Sequence, residues 1–338
     1  MTEHTPLDGV DVVLADLDGV IYKGPDPIEY AVESITLAST TARVGYITNN
    51  ASRTATSVAA HLADLGLTVD ESDVVTSPQA AVRLLAGLVP AGATVLVIGG
   101  EGLTTVVEAA GFTVTDSADD QPAAVIQGFS PDLGWKHLAE ASFALARDED
   151  GNGIPWVATN TDWTIPVARG IAPGNGTLVS AVHSAVGILP VVAGKPEVAI
   201  FEEAVTRFGA KKPLFIGDRL DTDILGANRA GMDSVLVLTG IDGPKQVVAA
   251  DKKSRPTYIL SDLRQLHEPY PNIDVSTDAA GDTIVTVGSS SVKLAGNVVT
   301  VEQKGDRSID LLRAAAATIW QSATPIYGLD VAPELYAR

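Results

Sequence analysis

The sequence has 338 residues, no cysteine and a formal net charge of −19. At about 150 residues per domain, its length predicts two domains, or two with an appendage. The lack of cysteine excludes disulfides, thiolate catalysis and cysteine metal sites. The acidic balance argues against a nucleic-acid partner, which needs a basic surface. No apolar run reaches the roughly 18–20 residues of a bilayer span, and no secretory signal is evident, so we expect a cytoplasmic protein without membrane contact.

The two outer parts of the chain predict a parallel α/β sheet. Apolar runs that end in polar residues or glycine read as buried strands, at residues 10–15, 44–47 and 214–216, with further strands at 235–238 and 258–260. Helical patterns fall at residues 52–65, 197–208 and 223–230. This alternation indicates an open, doubly wound sheet, in which ligands bind at the carboxyl ends of the strands.

A second α/β block interrupts the first. Its predicted strands fall at residues 94–98, 123–127 and 155–159, and its predicted helices at 102–110, 136–147 and 177–187. Proline and glycine mark its edges. We therefore predict a core of residues 1–76 and 190–271, interrupted by an inserted domain of residues 77–189.

The tail, residues 272–338, has a different pattern. Short strands are predicted at residues 282–288, 291–294 and 297–303, and a helix at 308–320. This small α+β appendage carries no catalytic constellation. We interpret it as a packing or dimerisation element, with a ligand-sensing role as the alternative.

Asp16 and Asp18 are the central chemical signal. They follow a buried strand, so they would enter the ligand crevice at its end. Two adjacent carboxylates repel each other unless a cation or proton joins them, and magnesium prefers such hard oxygen ligands. Gly19 permits the tight turn that follows. One carboxylate could attack phosphorus while the other transfers protons, although surface turns also produce Asp-x-Asp pairs.

Polar residues at other predicted strand ends strengthen this interpretation. Thr48, Asn49 and Asn50 offer donors for phosphate oxygens, or an ordinary helix cap. Lys195 precedes a helix that has proline near its start, where a lysine can reach phosphate; a solvated lysine is the alternative. Asp218 directly follows an apolar strand, as Asp16 does.

These four segments, in this order, resemble the motifs of the haloacid dehalogenase superfamily of phosphotransferases. The resemblance covers about residues 10–263. It implies that Asp16 is the nucleophile and Asp18 the general acid and base, and that Thr48 and Lys195 hold the phosphoryl group. It also implies that Asp16, the backbone carbonyl of Asp18, and Asp218 bind Mg²⁺, with Asp223 in support.

The position of the inserted block resembles the subgroup with a large α/β cap, which includes p-nitrophenylphosphatases, nucleotide phosphatases and phosphoglycolate phosphatases. The tail resembles a glycerol-3-phosphate phosphatase branch. Asn160 and Asp162 follow a predicted cap strand and suit a hydroxylated leaving group. We expect a phosphatase for a small phosphorylated metabolite, glycerol 3-phosphate first. A nucleotide, phosphoglycolate or sugar-phosphate phosphatase is the alternative, as is a catalytically silent sensor, and a homodimer could form through the cap or the appendage.

Other patterns are interpreted as structural. The glycine-rich segment 97–103 lacks dinucleotide-binding spacing, and residues 148–153 lack the final glutamate of a calcium loop. We expect both to be turns. We also expect His137 and His183 to be structural, and Trp135, Trp156 and Trp163 to contribute to cap packing rather than to a base-stacking platform.

Overall fold

The computed structural model describes residues 4–146, 151–167 and 169–337. The helices are α1 (Ala31–Ala38), α2 (Ala55–Asp64), α3 (Ser77–Ala86), α4 (Glu101–Ala109), α5 (Trp135–Ala144), α6 (Asn175–Val186), α7 (Val198–Phe208), α8 (Leu225–Arg229), α9 (Pro244–Ala249) and α10 (Ser308–Gln321). The strands are β1 (Val12–Ala15), β2 (Tyr22–Lys23), β3 (Asp26–Pro27), β4 (Arg43–Thr48), β5 (Val74–Thr76), β6 (Thr94–Ile98), β7 (Thr113–Thr115), β8 (Ala124–Gln127), β9 (Trp156–Ala158), β10 (Thr164–Val167), β11 (Gly170–Pro173), β12 (Val191–Val192), β13 (Pro213–Gly217), β14 (Asp233–Val237), β15 (Tyr258–Leu260), β16 (Ile273–Thr277), β17 (Thr283–Val287), β18 (Ser290–Ala295), β19 (Val298–Gln303) and β20 (Asp330–Val331). Within the described residues, no helix is both long and apolar enough to cross a bilayer.

The residues group by mutual contacts into two compact units. The first unit contains residues 1–44 and 211–338, and the second contains residues 45–210. These limits differ from the predicted domain boundaries, which fall after residues 76, 189 and 271. The predicted boundaries stay a prediction.

The first unit contains parallel strands in the order β15-β14-β13-β1. All four residues of β1 are buried, as are residues 214–217 of β13. Such continuous apolar strands suit a parallel sheet that is covered on both faces. The register aligns Ala15 with Ile216, so β1 and β13 end side by side. The predicted parallel α/β architecture is confirmed, and its carboxyl edge brings the residues after these two strands together.

The second unit contains two parallel arrangements. Strand β4 ends beside β5, with Thr48 aligned with Thr76. Four strands of the predicted cap block, residues 77–189, form a five-stranded sheet with β12, which lies just beyond that block. The order is β12-β9-β8-β6-β7, and each neighbouring pair is parallel. The antiparallel hairpin β10-β11 follows β9 in the chain. An apolar core that includes Leu96, Val125 and Val179 packs α5 and α6 on this sheet.

The tail packs onto the parallel sheet of its own unit. Strands β16 to β20 form one five-stranded sheet in chain order, and α10 packs on β17 and β18. Every residue from Ile309 to Ile319 of α10 is buried. The helix shares an apolar core with Leu236, Val247 and Ile259 of the first unit. The appendage is therefore part of one continuous core and not a tethered module.

Arg313 connects α10 to the outer strand of the parallel sheet. Its guanidinium donates to the Ile259 carbonyl at 2.9 and 2.7 Å and to the Asp310 carboxylate at 2.8 Å. The Tyr270 hydroxyl accepts from the Ile259 N–H at 3.1 Å. Because β15 is the last strand of its sheet, these bonds cover backbone groups that an open edge would leave for another chain.

We predict that Arg313→Met lowers the free energy of unfolding by about 3–5 kcal/mol, because it leaves the buried Asp310 carboxylate without its charged partner. Arg313 and Asp310 are 3% and 5% exposed. Arg307→Met is the matched control on the same segment: its ion pair with Glu268 is exposed and should contribute about 0–1 kcal/mol. Urea denaturation of both variants checks this, and equal losses would contradict the buried anchor.

Candidate active site

Three carboxylates meet at the carboxyl edge of the first unit's sheet. Asp16 follows β1 and its N–H donates to the Ile216 carbonyl at 2.8 Å. Asp218 follows β13, and Asp223 lies in the helical turn that comes next. Carboxylate oxygens of all three lie within 4.8 Å of one another. The structure therefore brings together three of the four acidic residues predicted for catalysis and metal binding, Asp18 being the fourth.

Backbone donors and glycines hold this cluster in place. Asp223 Oδ2 accepts from the N–H groups of Asp218 and Arg219, both at 3.1 Å. Asp218 and Asp223 are almost fully buried, whereas Asp16 is 9% exposed. Side chains at Gly19, which has φ +84°, and at Gly217 would overlap Asp218 and Asp223, respectively. Only glycine lets the backbone approach the carboxylates this closely.

The electrostatics of the cluster favour a cation. Close carboxylates repel each other unless a cation or a proton lies between them. Burial, together with the charges of Asp221 and Asp223, raises the pKa of the nearby Asp242 carboxyl. Burial would also raise the pKa of Asp221, but its bond to Arg219 outweighs this and lowers it. Hard oxygen donors in this number suit Mg²⁺, and the residues present therefore fit the predicted ion.

Asp18 has a different environment from Asp16. It is exposed, and the intervening Leu17 is fully buried. The Gly19 N–H donates to the Tyr22 carbonyl at 2.9 Å and closes the turn. Asp16 therefore lies in the cluster, while Asp18, in the turn that follows β1, remains accessible.

Asn49 organises the candidate phosphate-binding residues of the second unit. Thr48, at the end of β4, is 4% exposed, and its hydroxyl accepts from the Asn50 N–H at 3.1 Å. The Asn49 side chain accepts from the Lys195 N–H at 2.8 Å and donates to the Lys195 carbonyl at 3.1 Å. Lys195 is itself 4% exposed. Asn49 therefore joins the Thr48 segment directly to the Lys195 segment, although Asn49 and Lys195 are 146 residues apart in the sequence.

Asn160 and Asp162 belong to the same network. The Asn160 amide donates to the Asn49 carbonyl at 2.8 Å, and Asp162 accepts from the Asn49 amide at 3.2 and 3.3 Å. Asn160 is 4% exposed. These contacts support a role in ordering the Asn49 loop; the predicted reading of the leaving group by Asn160 and Asp162 stays a prediction.

The sequence interpretation missed two buried members of this network. Ser77 donates to the Asn49 carbonyl at 2.7 Å, and the Asn175 amide donates to the Asn160 carbonyl at 2.7 Å. Asn175 lies in the Pro-Gly-Asn-Gly segment at residues 173–176, whose composition signals a tight turn. Ser77 has no comparable signal, because a serine that starts a helix looks like any helix cap.

A cavity of about 500 Å³ lies in the second unit. It is lined by Ser52, which follows the Asn49 loop, and by cap residues that include Phe129, Ser130, Ile165 and Pro173. The cavity thus begins beside the candidate phosphate-binding loop and extends along the cap.

The residues interpreted as structural have mixed outcomes. His137 accepts from the Gly134 N–H at 3.0 Å and caps α5, and His183 Nδ1 lies 2.8 Å from the Ile188 carbonyl oxygen. Segment 97–103 contains the end of β6, the turn at residues 99–100 and the start of α4. The sequence predicts that residues 148–153 form a turn and not a calcium loop. Residues 148–150 of that segment lie outside the described residues.

The tryptophan prediction is partly wrong. Trp156 is buried at 3% exposure, as expected, but Trp135 and Trp163 are 79% and 66% exposed. Trp135 is the first residue of α5, a helix in which only Ala141 is fully buried. A side chain at that end lies beyond the core formed by α5, α6 and the cap sheet.

Comparison with known proteins identifies the family. A haloacid dehalogenase-like hydrolase model matches residues 13–113, and a HAD-hydrolase-like model matches residues 192–266. The D-glycerol 3-phosphate phosphatase of Mycobacterium tuberculosis is 43% identical over 92% of this chain and 86% of the relative. The chain belongs to the haloacid dehalogenase superfamily of phosphatases.

Solved structures support this membership at two different extents. The crystal structure of glycerol phosphate phosphatase from M. tuberculosis in complex with magnesium matches with a TM-score of 0.84 and 40% identity, covering 97% of this chain and 94% of that one. A p-nitrophenyl phosphatase from Archaeoglobus fulgidus matches with a TM-score of 0.68 and 28% identity, covering 76% and 98%. Among relatives found by sequence, the 5'-nucleotidase YutF of Bacillus subtilis is 34% identical over 75% of this chain and 95% of its own length. The predicted superfamily and phosphatase activity are confirmed.

We predict that Asn49→Ala lowers the free energy of unfolding by about 1–3 kcal/mol, because it removes bonds that order the buried Lys195 segment. Asn49→Asp should cost more, since it replaces the amide donor with a charge facing Asp162. Asn50→Ala, which loses only local bonds to Ser52, is the control and should cost less than either. Urea denaturation at pH 7 gives the order, and a larger loss for Asn50→Ala would contradict the network.

Proposed function

We propose that this phosphatase hydrolyses glycerol 3-phosphate, with Mg²⁺ bound at the acidic cluster and Asp16 as the nucleophile. The observation that carries this proposal is the extent of similarity. The glycerol phosphate phosphatase structure covers 97% of this chain and therefore includes the tail. The p-nitrophenyl phosphatase and the 5'-nucleotidase each cover about three quarters, which leaves a tail-sized part unmatched.

The metal would be held by the carboxylates of Asp16 and Asp218 and by the backbone carbonyl of Asp18. Asp223 fits a supporting role, because one of its oxygens already accepts two backbone N–H groups. When bound, the cation offsets the charge of the carboxylates and of the phosphate, which lets an anion approach an anionic nucleophile. The overall charge of −19 makes such a local reversal of sign necessary.

The reaction would proceed in two displacements. A carboxylate oxygen of Asp16 attacks phosphorus, the bond from phosphorus to the glycerol oxygen breaks, and protonated Asp18 gives its proton to that oxygen. Ionised Asp18 then takes a proton from water, whose oxygen attacks phosphorus, releases inorganic phosphate and restores the Asp16 carboxylate. The exposure of Asp18 supports this role, since the group must reach both the substrate and water.

Residues of the second unit would hold the rest of the substrate. Thr48, Asn50 and Lys195 would bind phosphoryl oxygens, and Asn49 would contribute mainly by fixing Lys195, since both ends of its amide already bond that residue. The glycerol moiety would lie toward the cap, where Asn160 and Asp162 could read its hydroxyl groups. A cavity of about 500 Å³ would also admit a sugar or a nucleoside, so nucleotide, phosphoglycolate and sugar phosphates stay as alternatives. The cytoplasmic location and the homodimer through the cap or the tail stay predictions.

We predict that Asp16→Asn abolishes phosphate release without unfolding the protein, because the amide has nearly the same shape but is a poor nucleophile. Asp18→Asn should lower kcat about 10²–10⁴-fold, the usual contribution of general acid–base catalysis. Asp221→Asn is the control in the neighbouring acidic loop; its carboxylate is exposed and pairs with Arg219, so it should keep near-normal turnover. Normal turnover by Asp16→Asn would remove it from the proposed role.

We predict that glycerol 3-phosphate gives the highest kcat/KM in a panel with phosphoglycolate, nucleoside monophosphates and hexose phosphates, at fixed Mg²⁺. Phosphate release measures each substrate. Preference for a nucleotide or hexose phosphate would favour the alternative phosphatases. Binding of a phosphate ester with no turnover on any substrate would instead favour the silent sensor.

A further inference from the structure

The loop that follows β14, residues 239–243, contacts both loops that carry the acidic cluster. None of its residues belongs to the group of Asp16, Asp218 and Asp223, the one such acidic group found among the described residues. In sheet order β14 is followed by β13 and then β1. The loop must therefore pass the end of β13 in order to reach the residues after β1.

Thr239 makes the contact to the β1 loop. Its hydroxyl donates to the Gly19 carbonyl at 2.7 Å, across 220 residues of sequence. Gly19 is next to Asp18, whose carbonyl is a proposed metal ligand, and ends the Asp16–Gly19 segment. The Thr239 hydroxyl thus ties the end of the segment that presents two proposed ligands to the loop after β14.

Ile241 and Asp242 make the contacts to the β13 loop. The Ile241 N–H donates to Asp218 Oδ2 at 2.7 Å and sets the rotation of that carboxylate. The Asp242 N–H donates to the Asp218 carbonyl at 3.1 Å, and its carboxylate accepts from the Leu220 N–H at 2.6 Å. Asp218 is therefore held at its side chain and its backbone by consecutive residues of one loop.

Gly240, between these contacts, permits the approach. A Cβ atom at Gly240 would overlap the Asp218 carboxylate. The φ angle of Gly240 is not in the left-handed region, so close packing, rather than an unusual backbone conformation, explains the glycine. The loop is built to lie directly against the carboxylate of a proposed ligand.

We propose that residues 239–242 form a positioning clamp that sets the distance between the Asp16–Asp18 segment and Asp218 and so determines the affinity for Mg²⁺. This inference rests on the proposed metal site. Magnesium demands near-ideal octahedral geometry, so ligands from separate loops must be held at a fixed spacing. Groups that orient metal ligands without touching the metal typically contribute 10–100-fold in affinity. Thr239 is the part of the clamp that a point substitution can test, because its contact to the β1 loop is made by a side-chain hydroxyl.

The test is calorimetric titration of the purified, folded full-length protein with Mg²⁺. Thr239→Val, which keeps the shape but removes the donor, should raise the Kd for Mg²⁺ by about 10–100-fold. Thr239→Ser restores the hydroxyl and should stay within about threefold of wild type, since the same hydrogen bond can form. If Thr239→Val does not fold, as judged by circular dichroism, Thr239→Ala is measured against the same expectation.

Thr257→Val is the matched control. Thr257 lies at the opposite end of the same sheet, where its hydroxyl accepts from the Ser234 N–H at 3.1 Å. Its loss should lower stability without changing the Kd for Mg²⁺. A similar rise in Kd for Thr239→Val and Thr257→Val would overturn the clamp in favour of general destabilisation, as would an unchanged Kd for Thr239→Val.

Asp218→Ala separates failure of the clamp from failure of the proposed metal site. If Asp218→Ala binds Mg²⁺ as wild type does, the site itself is misplaced and the clamp falls with it. If Asp218→Ala loses Mg²⁺ binding while Thr239→Val keeps it, the site stands and only the clamp is overturned. Loss in both, with rescue by Thr239→Ser, supports both.

Discussion

The mutual repulsion of Asp16, Asp218 and Asp223 is the constraint on which the rest of the site depends. Their carboxylate oxygens lie within 4.8 Å of one another, and two of the three side chains are almost fully removed from water. Such an arrangement is unfavourable unless backbone donors and a cation compensate for it. The surrounding features meet that need. N–H groups donate to Asp223 and Asp218, and glycines lie where the backbone approaches the carboxylates. The loop after β14 forms hydrogen bonds with both Gly19 and Asp218.

In the second unit, a neutral amide side chain, that of Asn49, organises the surrounding segments. Asn49 has a donor and an acceptor on one short side chain, so it can bond both backbone groups of Lys195 and still reach Asp162. Its own carbonyl accepts from Ser77 and Asn160. Buried hydrogen bonds between these residues hold the Asn49 loop and the Lys195 segment in one arrangement. That explains why residues which look like substrate contacts in the sequence also have structural partners.

In the tail, the charged side chain of Arg313 covers the outer strand of the parallel sheet. Arg313 is buried, and it donates to the Asp310 carboxylate, to the outward carbonyl of β15 and to Gln265 Oε1. The cation also lies over the Tyr270 ring at 4.3 Å. An appendage held this way closes the parallel sheet and contributes to the same core. The M. tuberculosis glycerol phosphate phosphatase structure matches 97% of the chain, whereas the A. fulgidus p-nitrophenyl phosphatase matches 76% of it.

The sequence by itself determined the parallel sheet, the strand ends that carry Asp16, Thr48 and Asp218, and the superfamily. These are local properties: apolar runs of strand length and the residues immediately after them. Tertiary structure decided what depends on pairing between distant segments. Only the order β14-β13-β1 brings Thr239 to Gly19, only the fold joins Asn49 to Lys195, and only the position of α5 leaves Trp135 exposed. Thr239, Ser77 and Arg313 looked ordinary in the sequence because a hydrogen bond across tens or hundreds of residues leaves no periodic pattern along the chain.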